Sequence, residues 1–263
     1  MCRFPVLAGL FILSLIALPT CARSADAVSS GFTLDSRVAL RAYTALVESH
    51  FEGILDGAQT LAATGDVQSG DWARIKVPLA VYARGVPTAA AVWFMRPDGS
   101  YYTLEKGLTD QNVKDRDYFP HLMTGQDVEG VLVVSRSTGR KSVVIGVPVM
   151  KSGKVIGALG VSVSVEKLAA MVDARLKLPA HIVFYALDAK GRTALHRDSH
   201  LMFEFPSEQG SETLSGAVKE MLSKPEGVVH YQFRGSARVA VFEASKPTGW
   251  VFVLGHSSVP VIP

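Results

Sequence analysis

Arg116 heads the residues that could do chemistry. It stands in Asp115-Arg116-Asp117-Tyr118-Phe119. A guanidinium presents a planar fork of donors matched to a carboxylate, so a partly buried arginine is a strong anion anchor. The same spacing allows a plainer use, a surface ion pair with Asp115 or Asp117. Tyr118 and Phe119 could wall a pocket, or be a core residue beside a half-exposed one. Tyr101 and Tyr102 open a strand whose alternation sends one of them to the sheet interior. The residues leave the choice open, and Tyr101 is carried as the candidate. His196-Arg197-Asp198-Ser199-His200 has the i, i+4 spacing with which two imidazoles on a helix share a metal. The segment reads as strand and loop, with no cysteine or clear third ligand nearby, so no metal is assigned. Gly153-Lys154 lacks the Lys-Ser or Lys-Thr pair of a phosphate loop and sits on a hairpin. No GxSxG, HExxH, paired CxxC or dinucleotide fingerprint is present. No catalytic residue and no cofactor are expected.

The elements that must position these residues follow from periodicity. Asp35 or Ser36 caps a segment in which Tyr43, Val47, Phe51, Ile54, Ala58 and Leu61 recur at helical spacing. This predicts one long amphipathic helix within residues 33–64, closed near Gly65 by a left-handed glycine. A shorter helix over 72–84 follows. The period then changes to strands at 90–95 and 100–104, joined by the turn Arg96-Pro97-Asp98-Gly99, and at 131–135, 142–149 and 155–165. A helix over 166–173 closes the unit. The second half repeats the scheme with a strand at 181–187, a short strand, a helix over 212–222 and three strands ending at Gly255. Val144–Gly160 and Val239–Gly255 match in length, turn position and terminal glycine, as an old duplication would. The fold class is α+β: a long N-terminal helix and two antiparallel sheets flanked by helices.

The chain has 263 residues, 48% hydrophobic and 19% charged, a globular composition that allows one large domain or two of about a hundred residues. Its formal charge of +3 falls to about +1 without Arg3 and Arg23, too little clustered charge for nucleic acid. Arg3, the apolar run from Val6 to Leu18 and the small residues Ala22, Ser24, Ala25 and Ala27 read as a secretory signal over residues 1–25. The product is expected to be periplasmic or secreted. Leu18-Pro19-Thr20-Cys21 has the outline of a lipoprotein box, but Pro and Thr fit poorly where small residues are usual. Cys2 and Cys21 both fall in this leader, so the mature chain is expected to lack thiol chemistry.

The order of long helix, Pro97-Asp98-Gly99 hairpin, Asp115-Arg116-Asp117-Tyr118-Phe119, Ser137-Thr138-Gly139-Arg140-Lys141 and the block Gly153–Val161 resembles the double Cache extracellular sensor domain of bacterial chemoreceptors and sensor kinases. The resemblance covers roughly 36–255 and is strongest over 93–168. It implies two PAS-like modules, a membrane-distal one at 66–175 holding a small-molecule pocket and a membrane-proximal one at 176–258, with a tail at 259–263. In the amino-acid-binding branch an arginine, followed two and three residues later by aromatics, grips the ligand carboxylate. The resemblance carries this onto Arg116, Tyr118 and Phe119. Acidic residues that hold the ligand ammonium in that branch fall here on Ser135 and Ser162, and an aromatic five residues before the arginine is replaced by Gln111. Serines cannot neutralise an ammonium, so a carboxylate or other anion is expected instead of an ordinary α-amino acid. The resemblance also implies a structural histidine near His196 and a homodimer through the long helix.

Two functions follow. One is an exported sensor that binds a small anion and passes the signal to a separate membrane partner. The other is a non-catalytic accessory protein with a vestigial pocket, docking through an apolar helix stripe left without an internal partner. An enzyme on this scaffold has no residue in its favour.

Overall fold

The computed structural model describes residues 35–136 and 138–257. The leader with both cysteines, residues 33 and 34 of the expected helix, Ser137 and the tail lie outside the described residues. Helix α1 (Ser36–Ala62) starts where the Asp35 carboxylate accepts the Arg37 N–H at 2.8 Å, satisfying one of the donors every helix start leaves open. Its apolar stripe, Leu40, Tyr43, Val47, Phe51, Ile54 and Ala58, is buried along its length. Helix α2 (Trp72–Arg84) follows, capped by Asp71.

Strands β1 (Ala89–Met95), β2 (Ser100–Thr103), β3 (Gly107–Asn112), β4 (Val128–Val134), β5 (Lys141–Lys151) and β6 (Lys154–Ser164) form an antiparallel sheet in the order β3-β2-β1-β6-β5-β4. Helix α3 (Phe119–Met123) interrupts them, and α4 (Val165–Leu176) leads out. A second sheet, in the order β8-β7-β11-β10-β9, is made of β7 (Ile182–Leu187), β8 (Thr193–His196), β9 (Glu226–Phe233), β10 (Ser236–Ala244) and β11 (Val251–Ser257). The short α5 (Pro206–Gln209) and α6 (Glu212–Ser223) cover it. Without β3 the first sheet has the strand order of the second, and the two halves of the expected duplication, β5–β6 and β10–β11, occupy equivalent places. Their turns differ: Ser152-Gly153 joins the first pair, whereas residues 245–250 join the second.

Both sheets pack on α1 and share one apolar cluster. Near the helix start Tyr43 meets Phe184 and Phe252, with ring centroids 5.4 and 5.1 Å apart; just past the middle, Phe51 meets Trp250. Residues from Asp35 onward form one compact unit. A further link runs along β4, the outer strand of the first sheet. Its outward carbonyls are taken in turn by side chains: Gly130 O by Trp250 Nε1 at 2.9 Å, Leu132 O by Arg192 Nη2 at 3.5 Å, and Val134 O by Arg116 Nη2 at 2.9 Å. The approach at Gly130 needs a glycine. Its φ is +84°, and a Cβ there would stand 2.7 Å from Thr248 O.

Several expectations are corrected. The long helix ends at Ala62, closed by Ala63 in right-handed geometry and by Thr64 Oγ1 on Leu61 O; Gly65 is not among the left-handed residues. Strand β3 escapes the pattern because Gly-Leu-Thr-Asp-Gln-Asn buries only Thr109, leaving no apolar alternation on this edge. The short α3 and α5 offer too few residues for a helical period. β11 continues past Gly255 to Ser257. Finally, Tyr101 and Tyr102 are both buried, because both faces of the first sheet are covered. Tyr102 stacks on Trp72 at 4.8 Å on the helix side, and Tyr101 belongs to the cluster on the other face.

Candidate functional site

The loop after β3 is folded by consecutive turns, Arg116 N–H to Val113 O at 3.0 Å and Phe119 N–H to Arg116 O at 2.9 Å. These turns set Arg116 half-buried at the end of β4, where one Nη2 donor reaches Val134 O. The plain alternative, an ion pair with a flanking aspartate, is not what forms. Asp115 pairs with Arg136 at 2.6 Å and Asp117 with Lys190 at 3.4 Å. The Arg136 hydrogen bond holds the Asp115 carboxyl below the usual carboxylate range. Arg136 also donates from Nη1 to Asn112 O. Arg116 keeps further N–H donors beyond the one it spends on Val134.

Beside it opens a cleft with about 460 Å³ of empty space, part of it open to solvent. Of the expected site residues, Arg116, Tyr118, Tyr101, Ser135 and Ser162 line it. Phe119 does not: it starts α3 and is buried in the apolar cluster beneath. Gln111 is not among the lining residues either. Tyr118 stacks on Trp93 at 6.1 Å, and burial pushes its hydroxyl up to about 12, so it remains a neutral donor. Trp93 Nε1 donates to Ser162 Oγ at 3.2 Å, which leaves the serine O–H to donate elsewhere. Ser135 Oγ accepts the Thr138 N–H at 3.2 Å.

Sequence reasoning missed Arg136, Trp93 and Thr103, which also line the cleft. Trp93 had a signal in its strand: its register partner is Gly160, and a Cβ on Gly160 would fall 2.1 Å from the indole. The indole therefore lies across the sheet on the glycine. Arg136 had none, since it follows the strand in a polar loop. Two guanidinium groups and no carboxylate line the cleft, so its field favours an anion. Ala91 and Thr103 are shared with an outer recess also lined by Glu105, Lys106 and Arg140. His196 and His200 lie apart from this cleft and on different elements: the first is buried on β8 and the second is exposed beside Asp198. Among the described residues no group of three or more His, Cys, Asp or Glu is placed to hold a metal.

No protein-family model matches the sequence, and no curated protein matches it significantly. Solved structures do. The sensory domain of the Campylobacter jejuni chemoreceptor Tlp3 with isoleucine bound aligns with a TM-score of 0.62 at 16% identity, over 85% of this chain and 91% of that one. The chain has the double Cache fold. Methyl-accepting chemotaxis protein X aligns with a TM-score of 0.69 at 16% identity, over 89% of this chain and 99% of that one. An extracellular ligand binding receptor from Desulfohalobium retbaense aligns at 0.67 and 14% identity over 86% of this chain, which spans only 42% of that receptor. No helix among the described residues is long and apolar enough to cross a membrane.

Proposed function

We propose that this chain is an exported, non-catalytic sensor whose first-sheet cleft captures a small carboxylate or another anionic metabolite. The observation that carries the reading is the lining of that cleft: Arg116 with no carboxylate partner, Arg136 already paired with Asp115, serines at 135 and 162, and no carboxylate among the lining residues. Similar structures bind isoleucine, whose ammonium needs a counter-charge that this lining lacks. A carboxylate would take the free donors of Arg116, with the Ser162 and Tyr118 hydroxyls completing its shell. The expected module boundaries, 66–175 and 176–258, place this cleft in the membrane-distal unit.

Drawing Arg116 toward a ligand competes with its bond to Val134 O, and β4 leads from that carbonyl to Gly130, which holds Trp250 in the connection that enters β11 of the second sheet. This gives ligand capture a physical route to α1 and from there to a membrane signalling partner. Docking through the apolar stripe of α1 has less in its favour, because the two sheets cover that stripe. Export, which rests on the leader residues, and a homodimer along α1, which rests on the resemblance, belong to the same proposal; sedimentation of the exported protein tests the second.

The deciding experiment is a thermal-shift screen of organic acids, amino acids, amines and purines. A ligand at a hundred times its dissociation constant adds about 2.7 kcal/mol, several degrees in Tm. A carboxylate hit that vanishes in Arg116→Ala is the expected result. A hit that survives this substitution removes Arg116 from the site, and hits confined to amines or purines overturn the anion reading.

A further inference from the structure

The second sheet holds a cleft of its own, enclosing about 450 Å³ of empty space, which the proposed sensor does not use. Its floor is made by Tyr185 and Tyr231, which stand over small residues at the centre of the sheet. Gly255 and Ala240 are register partners on β11 and β10, and the Tyr231 hydroxyl lies over Gly255, 3.6 Å from the place of a Cβ. That hydroxyl meets the Tyr185 hydroxyl at 3.1 Å, so the two phenols bridge the floor. Leu201, Leu214 and Val218 complete an apolar wall. The recess is mostly apolar with a few convergent polar groups and opens to solvent, the character of a small-ligand site.

Two donors line it without protein partners. Arg238 Nε is buried and unbonded among the described residues. Its guanidinium forms no ion pair among them and rests 4.8 Å from the centre of the Phe233 ring. His196 is buried on β8, and its Nδ1 accepts the Asp198 N–H at 2.7 Å. A backbone N–H can only donate, so the ring proton sits on Nε2, which has no partner among the described residues. Burial keeps the ring neutral, with its pKa pushed down to about 4. Of the two, the Arg238 Nε is the buried one left unsatisfied, which is costly on a cation, and an anion held by this guanidinium and the His196 Nε2–H would relieve it. Glu204 also lines the recess, its Oε2 taken by Gln209 Nε2 at 2.8 Å. That carboxylate offsets the charge of Arg238 over the recess as a whole, so recognition of an anion rests on the donors of Arg238 and His196, and a second negative charge would find no partner.

We propose that this cleft is a second small-molecule site, for a compact monocarboxylate with an aromatic or branched apolar body. The carboxylate is received by Arg238 and the His196 Nε2–H, and the body lies against Tyr185, Tyr231 and Leu214.

Calorimetric titration of the exported protein with sodium benzoate, and with benzamide as its neutral isostere, tests the site. Benzoate should bind about tenfold or more tightly than benzamide, the difference a charge-assisted pair makes. Arg238→Met should lose that advantage at an unchanged thermal midpoint, and Arg116→Ala should keep it. Should Arg238→Met not fold, the benzoate and benzamide comparison in Arg116→Ala decides, because that variant lacks the guanidinium proposed for the first-sheet cleft, and equal affinity there overturns the proposal. Equal affinity for the two probes overturns the proposal, as does absence of benzoate binding up to millimolar concentration or full binding in Arg238→Met. Binding lost in Arg116→Ala but kept in Arg238→Met also overturns it, by placing the probe in the first-sheet cleft.

Discussion

In the first sheet the central glycine, Gly160, lies beneath the indole of Trp93, where a Cβ would overlap the ring at 2.1 Å. In the second, Gly255 lies beneath the Tyr231 hydroxyl at an ordinary contact distance of 3.6 Å. The cationic groups differ in origin too. Arg116 and Arg136 come from loops flanking β3 and β4, whereas Arg238 stands on β10 opposite Ser257, the place where the first sheet puts Val144 opposite Ser162. A guanidinium on a loop can move with its ligand, and one fixed in a strand cannot. Duplicated strand order therefore gave two recesses of similar size, the first suited to reporting occupancy by movement and the second to holding a ligand still.

The largest effect that would sharpen this contrast concerns acid. Burial lowers the His196 pKa from 6.5 to about 4, so between these values the unfolded chain takes up a proton that the folded one refuses. The stability this residue contributes is whole above pH 6.5 and is lost as pH falls toward 4, about 3 kcal/mol in all. Urea unfolding at pH 7 and pH 4.5 should show the loss. His196→Asn, whose amide oxygen can still accept the Asp198 N–H, should flatten it; an equally steep profile in that variant would assign the acid sensitivity elsewhere.

Next in size is the glycine pair. Gly160→Ala forces Trp93 to shift and should cost about 1–3 kcal/mol, as overpacking does, while Gly255→Ala should stay well below that. Equal unfolding midpoints for the two variants would mean that the clefts are packed alike. The smallest effect is at Glu129 on β4. Burial first, then Glu52 and Glu48 of α1, hold its carboxyl up to about 7. The sign is opposite to that of His196: the contribution is present below pH 4.5 and is lost as pH rises through 7. Glu129→Gln should therefore be more stable than the unaltered protein at pH 8 and indistinguishable at pH 4.5, with a margin that salt reduces because the group is half-exposed. A lower Tm for the variant at pH 8 would contradict this sign.

What could be read in the sequence were the elements with strong periods. The stripe from Tyr43 to Ala58 and the strands around Gly160 and Gly255 carry their burial in their spacing. β3 does not, because an edge strand that buries one threonine has no pattern to display. The same limit applied to the site. Arg116, Tyr118 and Ser162 came from matching blocks, but Phe119 was displaced into the core by the helix it begins. Arg136 became visible only through its contacts with Asp115 and Asn112. The cleft of the second sheet was not legible either: its groups sit on β7 to β10 and α6, brought together by pairings that no local segment encodes.

The occupied carbonyls of β4 have a consequence for coexistence with other chains. An outer strand with a bare row of acceptors is a template on which foreign strands add, the first step of aggregation. Here an indole and two guanidinium groups cover Gly130, Leu132 and Val134 in succession. Even if a ligand draws Arg116 away, Trp250 and Arg192 keep the rest of that edge closed, so the protein can change state without becoming a seed.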